Sequence, residues 1–130
     1  MRVADIARRN PLDDAESVTE FLTTLVKRID MRILAGPLVG EELAEDDKRG
    51  WSGVVILYES HAAVHTYPEL GELFLDVFSC KVFSIETVHE VLESFLDSYR
   101  VVEQSQFSRG VHWGVDAGDE LRRWTHTRKC

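Results

Sequence analysis

Residues 50–80 read GWSGVVILYESHAAVHTYPELGELFLDVFSC, and this stretch decides the fold. It holds three strand-like runs, at residues 54–58, 62–66 and 73–78, that are enriched in β-branched and aromatic residues. The three runs follow one another without an intervening helix, which a simple parallel βαβ array would require. The stretch therefore predicts neighbouring antiparallel strands.

Two amphipathic helices flank these strands. Apolar residues recur at spacings of three and four over residues 18–29, behind Asp13, whose carboxylate we expect to cap the first helix. The same spacing recurs over residues 85–99 behind Ser84 as N-cap. His89 falls on the polar face of this second helix, where we expect it to be solvated.

Further strand-like runs lie at residues 2–6, 31–39 and 100–107. Helices do not alternate strictly with strands in this order. The predicted fold is α+β, a two-layer sandwich of a mainly antiparallel sheet with two helices packed on one face. The segment 41–49 (EELAEDDKR) carries five acids and two bases and is expected to be a solvated loop.

Length and charge narrow the classes of function. The 130 residues predict one domain, 1–130, and the formal net charge is -8. Such a charge repels phosphate backbones and anionic lipid surfaces, so neither nucleic acid nor a membrane is expected as a partner. No apolar run reaches membrane-spanning length and the start lacks the order of a signal peptide, which predicts a cytoplasmic protein.

The chain has two cysteines, which argues against a disulfide framework. Cys80 closes an apolar strand, and Cys130 is the last residue. We expect Cys80 to be a free thiol.

Residues 50–80 contain a set of short motifs: Ser52-Gly53, Glu59-Ser60-His61, His65-Thr66, Pro68-Glu69 and Asp76-Val77-Phe78 followed by Cys80. Their order and spacing resemble the core of the prokaryotic-type S-adenosylmethionine decarboxylase family, whose members cleave themselves and use a pyruvoyl group. The resemblance covers about 30 residues, and several elements in register are a far stronger signal than a lone Glu-Ser-His.

The resemblance implies a specific cofactor chemistry. Decarboxylation of an α-amino acid leaves a carbanion that needs an electron sink, which unmodified side chains do not supply. In the family, a serine becomes a pyruvoyl group that forms a Schiff base with the substrate amine; here that serine is Ser60. Cleavage after Glu59 implies a β chain of residues 1–59 and an α chain of residues 60–130.

The resemblance also implies roles for three further side chains. Ser52 and His65 are expected to assist self-cleavage, since an imidazole exchanges protons near neutral pH. Cys80 is expected to return a proton to the substrate after decarboxylation. Taken singly, the same residues are typical of a turn serine, a hydrogen-bonded structural histidine and a small core cysteine.

Substrate-binding positions match the family only in part. Tyr67 stands where the family has tryptophan, and Glu69 is a predicted ligand for substrate hydroxyl or amine groups. Asp46 stands where the family commonly has an aromatic residue that stacks on adenine, and a carboxylate cannot stack. Lys81 replaces the glycine that usually follows the catalytic cysteine. S-adenosylmethionine, as in spermidine biosynthesis, is the leading substrate; a basic amino acid, arginine or ornithine, is the alternative because Asp46 would attract its cationic side chain.

Two other classes of function remain open on the residues alone. The chain could be a non-catalytic relative, which would stay uncleaved. His61, His65 and Cys80 could instead be ligands of a zinc site, but no fourth ligand is nearby and Ser60 would then have no purpose. We therefore predict no metal, and the resemblance implies a homodimer of cleaved protomers.

Alternation along a strand constrains the cleavage site. In an uninterrupted strand His61 and His65 share one face and Ser60 points to the other. The chain is therefore expected to bend at the cleavage site.

Overall fold

The computed structural model describes residues 1–43 and 48–107. A short 3-10 helix precedes α1, and the two α-helices are separated by four strands. In chain order the elements are β1 (Arg2–Ala4), the 3-10 helix (Asn10–Asp13), α1 (Ala15–Arg28), β2 (Ile33–Glu42), β3 (Gly50–Leu57), β4 (Ser60–Tyr67), β5 (Glu72–Phe78), α2 (Ile85–Leu96) and β6 (Arg100–Glu103).

The strands form one six-stranded sheet in the order β2-β3-β4-β5-β1-β6, and every pair is antiparallel. The apolar stripes of α1 and α2 pack on one face of this sheet and form a single core with its inward-facing residues. The predicted α+β sandwich with an antiparallel sheet and two helices on one face is confirmed. Among the described residues, no helix is long and apolar enough to cross a membrane.

The start of α1 differs from the sequence prediction by one residue. Asp14, not Asp13, is the N-cap: its carboxylate accepts a hydrogen bond from the Ser17 backbone N–H at 2.7 Å. The Ser17 hydroxyl also donates to this carboxylate, and the hydroxyl and the N–H together lower the pKa of Asp14 below its usual value. Asp13 instead ends the 3-10 helix and pairs with Arg49 at 2.7 Å.

The prediction that His89 is merely solvated is wrong. Its Nδ1 lies 2.6 Å from the Tyr99 hydroxyl and its Nε2 lies 2.8 Å from Oε1 of Gln104, so His89 ties α2 to the chain around β6. Burial raises the pKa of Tyr99 to about 12, so its hydroxyl keeps its proton at neutral pH. Ser84 caps α2 as predicted, accepting from the Thr87 N–H at 3.1 Å.

The acidic segment 41–49 is not wholly a loop. β2 continues through Glu41 to Glu42, opposite Trp51 and Gly50 of β3, and Arg49 reaches back to Oε1 of Glu41 at 3.3 Å. Pairing with β3 thus places acidic residues in a strand, although the sequence pattern alone predicts a solvated loop for them.

The face of the sheet away from the helices, here called the open face, carries large apolar side chains. Leu38 is 73% exposed and Ile56 50%, and Val54 and Phe74 are also exposed. Register places Leu38, Val54 and Ala63 in one row across β2, β3 and β4. A contiguous apolar row on a sheet surface is typical of a protein–protein interface.

A buried hydroxyl joins β4 to the 3-10 helix, and its removal gives a stability prediction. Thr66 Oγ1 donates to the Leu12 carbonyl at 2.6 Å and accepts from the Trp51 N–H at 3.1 Å. We expect Thr66→Val to lower the free energy of unfolding by about 1–3 kcal/mol, because the two backbone groups lose this partner.

Urea unfolding in a Ser60→Ala background, which keeps the chain in one piece, measures this loss. Thr23→Val is the matched control, since Thr23 is exposed and its hydroxyl bonds only to a carbonyl of its own helix. Equal stability of the two variants would contradict the role assigned to Thr66.

Candidate active site

Ser60 is the first residue of β4 and follows a tight turn. Leu57 and Ser60 are partners in the β3–β4 register, so Tyr58 and Glu59 form a two-residue connection. Glu59 has φ of 58°, in the left-handed region that costs energy for a residue with a side chain. The bend expected at the cleavage site is therefore present, and the strain lies on the residue that precedes Ser60.

The Ser60 side chain lies on the helix-facing side of the sheet and is 7% exposed. Its Oγ accepts a hydrogen bond from the Cys80 N–H at 2.9 Å. This bond connects the β3–β4 turn to the segment that follows β5. Ser60 and Cys80, 20 residues apart in sequence, thus form one pair of the candidate site, called here the Ser60–Cys80 pair.

Cys80 is buried, and its Sγ lies 3.8 Å from the Tyr58 carbonyl oxygen. The sulfur is in a disulfide bond. The expectation of a free thiol is therefore wrong for this form of the chain. A disulfide sulfur has no proton to donate, so the role implied for Cys80 requires its reduced form.

Ser52 and His65 form a second pair, called here the Ser52–His65 pair. They are direct partners in the β3–β4 register, and Ser52 Oγ lies 2.7 Å from His65 Nδ1 on the open face. Gly50 secures this register: a Cβ at Gly50 would lie 1.7 Å from the Thr66 carbonyl oxygen, so only glycine permits such close strands here.

Tyr67 and Glu69 lie at the same end of β4 as the Ser52–His65 pair. Tyr67 packs edge-on against Phe74, with ring centroids 5.8 Å apart. Arg9 Nη1 donates to the Glu69 carbonyl at 2.7 Å and so holds the β4–β5 turn. The remaining predicted substrate contact, Asp46, lies outside the described residues.

The structure does not bring the two pairs together within one chain. Residues 60 and 65 are five residue steps apart along an extended strand, about 16 Å at the usual rise. The side chains also lie on opposite faces, since Ser60 is buried under the helices and His65 is on the open face. His65 of a chain is thus too far from Ser60 of the same chain to move a proton at that residue.

Sequence reasoning assigned no role to two carboxylates at the site, although Asp76 belongs to one of the matching motifs. Glu42 Oε2 lies 3.4 Å from Ser52 Oγ, and Asp76 Oδ2 lies 3.7 Å from His61 Nε2. The His61 ring also stacks on Phe78, with centroids 5.4 Å apart. Strand alternation could have found Asp76, but Glu42 was hidden because its segment was predicted to be a loop.

A cavity of about 260 Å³ lies beside the Ser60–Cys80 pair. It is bounded by the end of β5, the start of α2 and residues 104–107. Lys81 lines it, but its Nζ is 2.9 Å from Oδ2 of Asp30, which holds the ammonium group at the α1–β2 connection. Within the described ranges there is no cluster of three His, Cys, Asp or Glu side chains arranged to hold a metal ion.

Comparisons with known proteins agree on one family. A family model described as S-adenosylmethionine decarboxylase matches residues 3–110. An S-adenosylmethionine decarboxylase proenzyme from Pyrococcus horikoshii is 34% identical over 120 residues, covering 91% of this chain and 77% of the relative. A second, from Pyrococcus abyssi, is 33% identical over 118 residues, covering 89% and 76%.

The fold also matches a solved structure. The adenosylmethionine decarboxylase from Aquifex aeolicus superposes with a TM-score of 0.54 over 82% of this chain and 92% of the other. The two sequences are 19% identical, so this likeness bears on the fold alone.

Proposed function

Because the chain belongs to the S-adenosylmethionine decarboxylase family, we propose that it is a proenzyme that cleaves itself between Glu59 and Ser60 and then decarboxylates S-adenosylmethionine. The observation that carries this proposal is the placement of Ser60. Ser60 directly follows Glu59, a residue with positive φ in the turn of the β3–β4 hairpin. The Ser60 hydroxyl oxygen accepts a hydrogen bond from the Cys80 N–H. Strain before a serine favours attack on the adjoining carbonyl, because the attack releases that strain.

Self-cleavage requires only the atoms of the chain and one molecule of water. Ser60 Oγ adds to the Glu59 carbonyl carbon, and the C–N bond between the two residues breaks to give an ester. Removal of the Ser60 Cα proton then breaks the bond from Cβ to the ester oxygen, which leaves a carboxylate on residue 59 and dehydroalanine at residue 60. Water converts the dehydroalanine to the pyruvoyl terminus and releases ammonia. The products are chains 1–59 and 60–130.

Ser60 is a suitable source of the pyruvoyl group that this family uses. The group supplies the electron sink for the carbanion of decarboxylation. After cleavage, residue 60 would begin the α chain beside Cys80 and the 260 Å³ cavity. Reduced Cys80, which lines this cavity, would then hold the proton that is returned to the substrate carbon.

The proton transfers at Ser60 require a group that can exchange a proton, and His65 of the same chain lies about 16 Å away on the opposite face of the sheet. We assign them to the Ser52–His65 pair of a second subunit. The exposed apolar row on the open face supports face-to-face packing of two sheets, which buries Leu38, Val54 and Ile56.

The position of the two pairs supports a two-fold arrangement. A two-fold axis near Ala63, midway between the ends of the 61–65 segment, would exchange the ends of β4. The partner subunit's His65 would then approach the start of β4 from the open face, where it would meet the Glu59–Ser60 backbone rather than the Ser60 hydroxyl, which points to the helices. Each homodimer would contain two sites, each built from both subunits.

Substrate recognition follows from the same arrangement. Tyr67 and Glu69 lie beside the Ser52–His65 pair, so they would approach the substrate from the partner subunit. Tyr67 offers an aromatic face and Glu69 an acceptor for hydroxyl or amine groups. A cavity of 260 Å³ is below the roughly 300–1,000 Å³ of complete ligand sites, which also fits a site completed by a second chain.

A cytoplasmic location fits this activity. The formal net charge of -8 disfavours association with anionic membrane surfaces.

Intact mass spectrometry of the purified protein tests the proposed processing. We expect two chains split between Glu59 and Ser60, and carbon dioxide release from S-adenosylmethionine in the presence of a reductant for Cys80. Arginine and ornithine serve as competing substrates in the same assay. Turnover of S-adenosylmethionine alone would remove the argument for a basic substrate that Asp46 raised, and an intact chain without activity would contradict the proposal.

A further inference from the structure

The hydroxyl of Ser52 contacts two groups that compete for its single proton. His65 Nδ1 lies 2.7 Å from Ser52 Oγ, and Glu42 Oε2 lies 3.4 Å from the same atom. Glu42 reaches this position because β2 pairs with β3: Gly40 is opposite Ser52 and Glu42 is opposite Gly50. Glu42 therefore shares the open face with Ser52 and His65.

Counting donors and acceptors selects one arrangement. An ionised carboxylate can only accept, so in the Ser52–Glu42 contact the hydroxyl must donate. Its proton is then committed to Glu42, and Ser52 can only accept from His65. Both contacts are satisfied together when Nδ1 of His65 carries the imidazole proton and donates to Ser52 Oγ.

We propose that Glu42 is a positioning residue that, through Ser52, holds His65 in the tautomer with Nδ1 protonated and Nε2 free to accept a proton. This inference rests on the proposed function, in which His65 moves a proton at the partner subunit's Ser60. Nε2 is on the side of the ring away from Ser52, so it is the nitrogen available to another chain across the open face.

The other charged groups around His65 have different partners. On β5, Glu72 forms a two-pronged pair with Arg2 of β1, and Asp76 lies against His61 of β4. Phe74, an uncharged residue, is the direct neighbour of His65 on β5. Glu42 is therefore the carboxylate that contacts the Ser52–His65 pair among the residues that the structure describes.

Nitrogen NMR of His65 in the uncleaved Ser60→Ala chain reads the tautomer directly. Above the pH at which the imidazole loses its charge, we expect Nδ1 protonated and Nε2 unprotonated. Glu42→Gln places an amide donor beside Ser52 Oγ, which frees the hydroxyl proton for Nδ1. We expect the population to shift towards protonated Nε2 in this variant, and to become mixed in Glu42→Ala.

Glu41→Gln is the matched control. It removes the same charge from the adjacent residue, which lies on the opposite face of β2 and pairs with Arg49. We expect its His65 spectrum to match that of the Ser60→Ala parent.

The rate of self-cleavage in chains that retain Ser60 gives the second readout. Positioned proton transfer contributes about 10²–10⁴-fold to rates. The carboxylate is exposed, 3.4 Å from the hydroxyl and acts only through Ser52, so we expect a loss at or below the lower bound of that range, about 10- to 100-fold in Glu42→Gln and Glu42→Ala. Glu41→Gln should cleave within about twofold of wild type.

The two readouts separate this inference from the proposed function. An unchanged tautomer and an unchanged cleavage rate in both Glu42 variants would overturn the role of Glu42, even in a chain that cleaves normally. A wild-type chain that never cleaves, with a tautomer that still responds to Glu42, would overturn the proposed function and leave the positioning role standing.

Discussion

Replacing Ser60 with alanine is expected to leave a single chain of 130 residues and to abolish decarboxylation. The variant lacks the hydroxyl oxygen that adds to the Glu59 carbonyl, and no pyruvoyl terminus can arise from alanine. Loss is expected to be complete rather than partial, because both the cleavage and the electron sink depend on the same atom. Intact mass spectrometry and carbon dioxide release from S-adenosylmethionine measure the two effects.

Ser94→Ala is a suitable control for this experiment. Ser94 is in α2, and its hydroxyl bonds to the Val91 carbonyl within that helix. Its substitution should leave both cleavage and activity unchanged. Trapping with hydroxylamine or borohydride adds an independent check, since these reagents capture a keto terminus. A Ser60→Ala chain that is cut after residue 59, or that contains a trappable carbonyl, would contradict the assignment of Ser60.

The second large effect is expected from mixing two inactive variants. In a homodimer of His65→Ala chains, every Ser60 lacks the imidazole; in a homodimer of Ser60→Ala chains, no chain has the hydroxyl. In the proposed homodimer, a mixed pair would restore one complete site, formed by Ser60 of the His65→Ala chain and the partner subunit's His65. We therefore expect cleavage of the His65→Ala chain to recover upon co-expression, from little or none to about half of those chains when the two subunits mix at random.

Tags of different mass on the two chains allow mass spectrometry to identify which one is cut. The control replaces the Ser60→Ala partner by the double variant Ser60→Ala, His65→Ala, which can form the same mixed dimer but supplies no imidazole. No recovery with the single variant, while mixed dimers are present, would show that the site does not depend on a second subunit. Fast cleavage of His65→Ala homodimers would remove His65 from the mechanism.

Several local features could be predicted because they depend on residues close in sequence. The apolar spacing over residues 85–99 and the capping Ser84 led to α2, and enrichment in β-branched and aromatic residues within 50–80 led to β3, β4 and β5. The positive φ at Glu59 marks a turn before Ser60, but alternation persists from Ser60 to His65, so this turn does not bring the two side chains to one face. The first helix was also predicted, but its cap was misplaced by one residue because Asp13 and Asp14 are chemically alike and only the bond to Ser17 distinguishes them.

Other features depend on pairing between distant strands and could not be read from periodicity. Glu41 and Glu42 are strand residues because β3 offers them backbone partners, which outweighs their low strand propensity. His89 was predicted to be solvated because its partners Tyr99 and Gln104 are brought to it only by the path of the chain after α2.

The sequence by itself determined the order of helices and strands, the antiparallel sheet and the family, because hydrophobic spacing and short motifs are local properties of the chain. Only the tertiary structure decided how the motif residues group. The β3–β4 register placed Ser52 against His65, and the segment that follows β5 placed Cys80 against Ser60. Because β4 is extended and its side chains alternate, the two pairs lie about 16 Å apart on opposite faces of the sheet. Motifs that are adjacent in sequence need not form one site, because successive side chains of a strand point to opposite faces of the sheet.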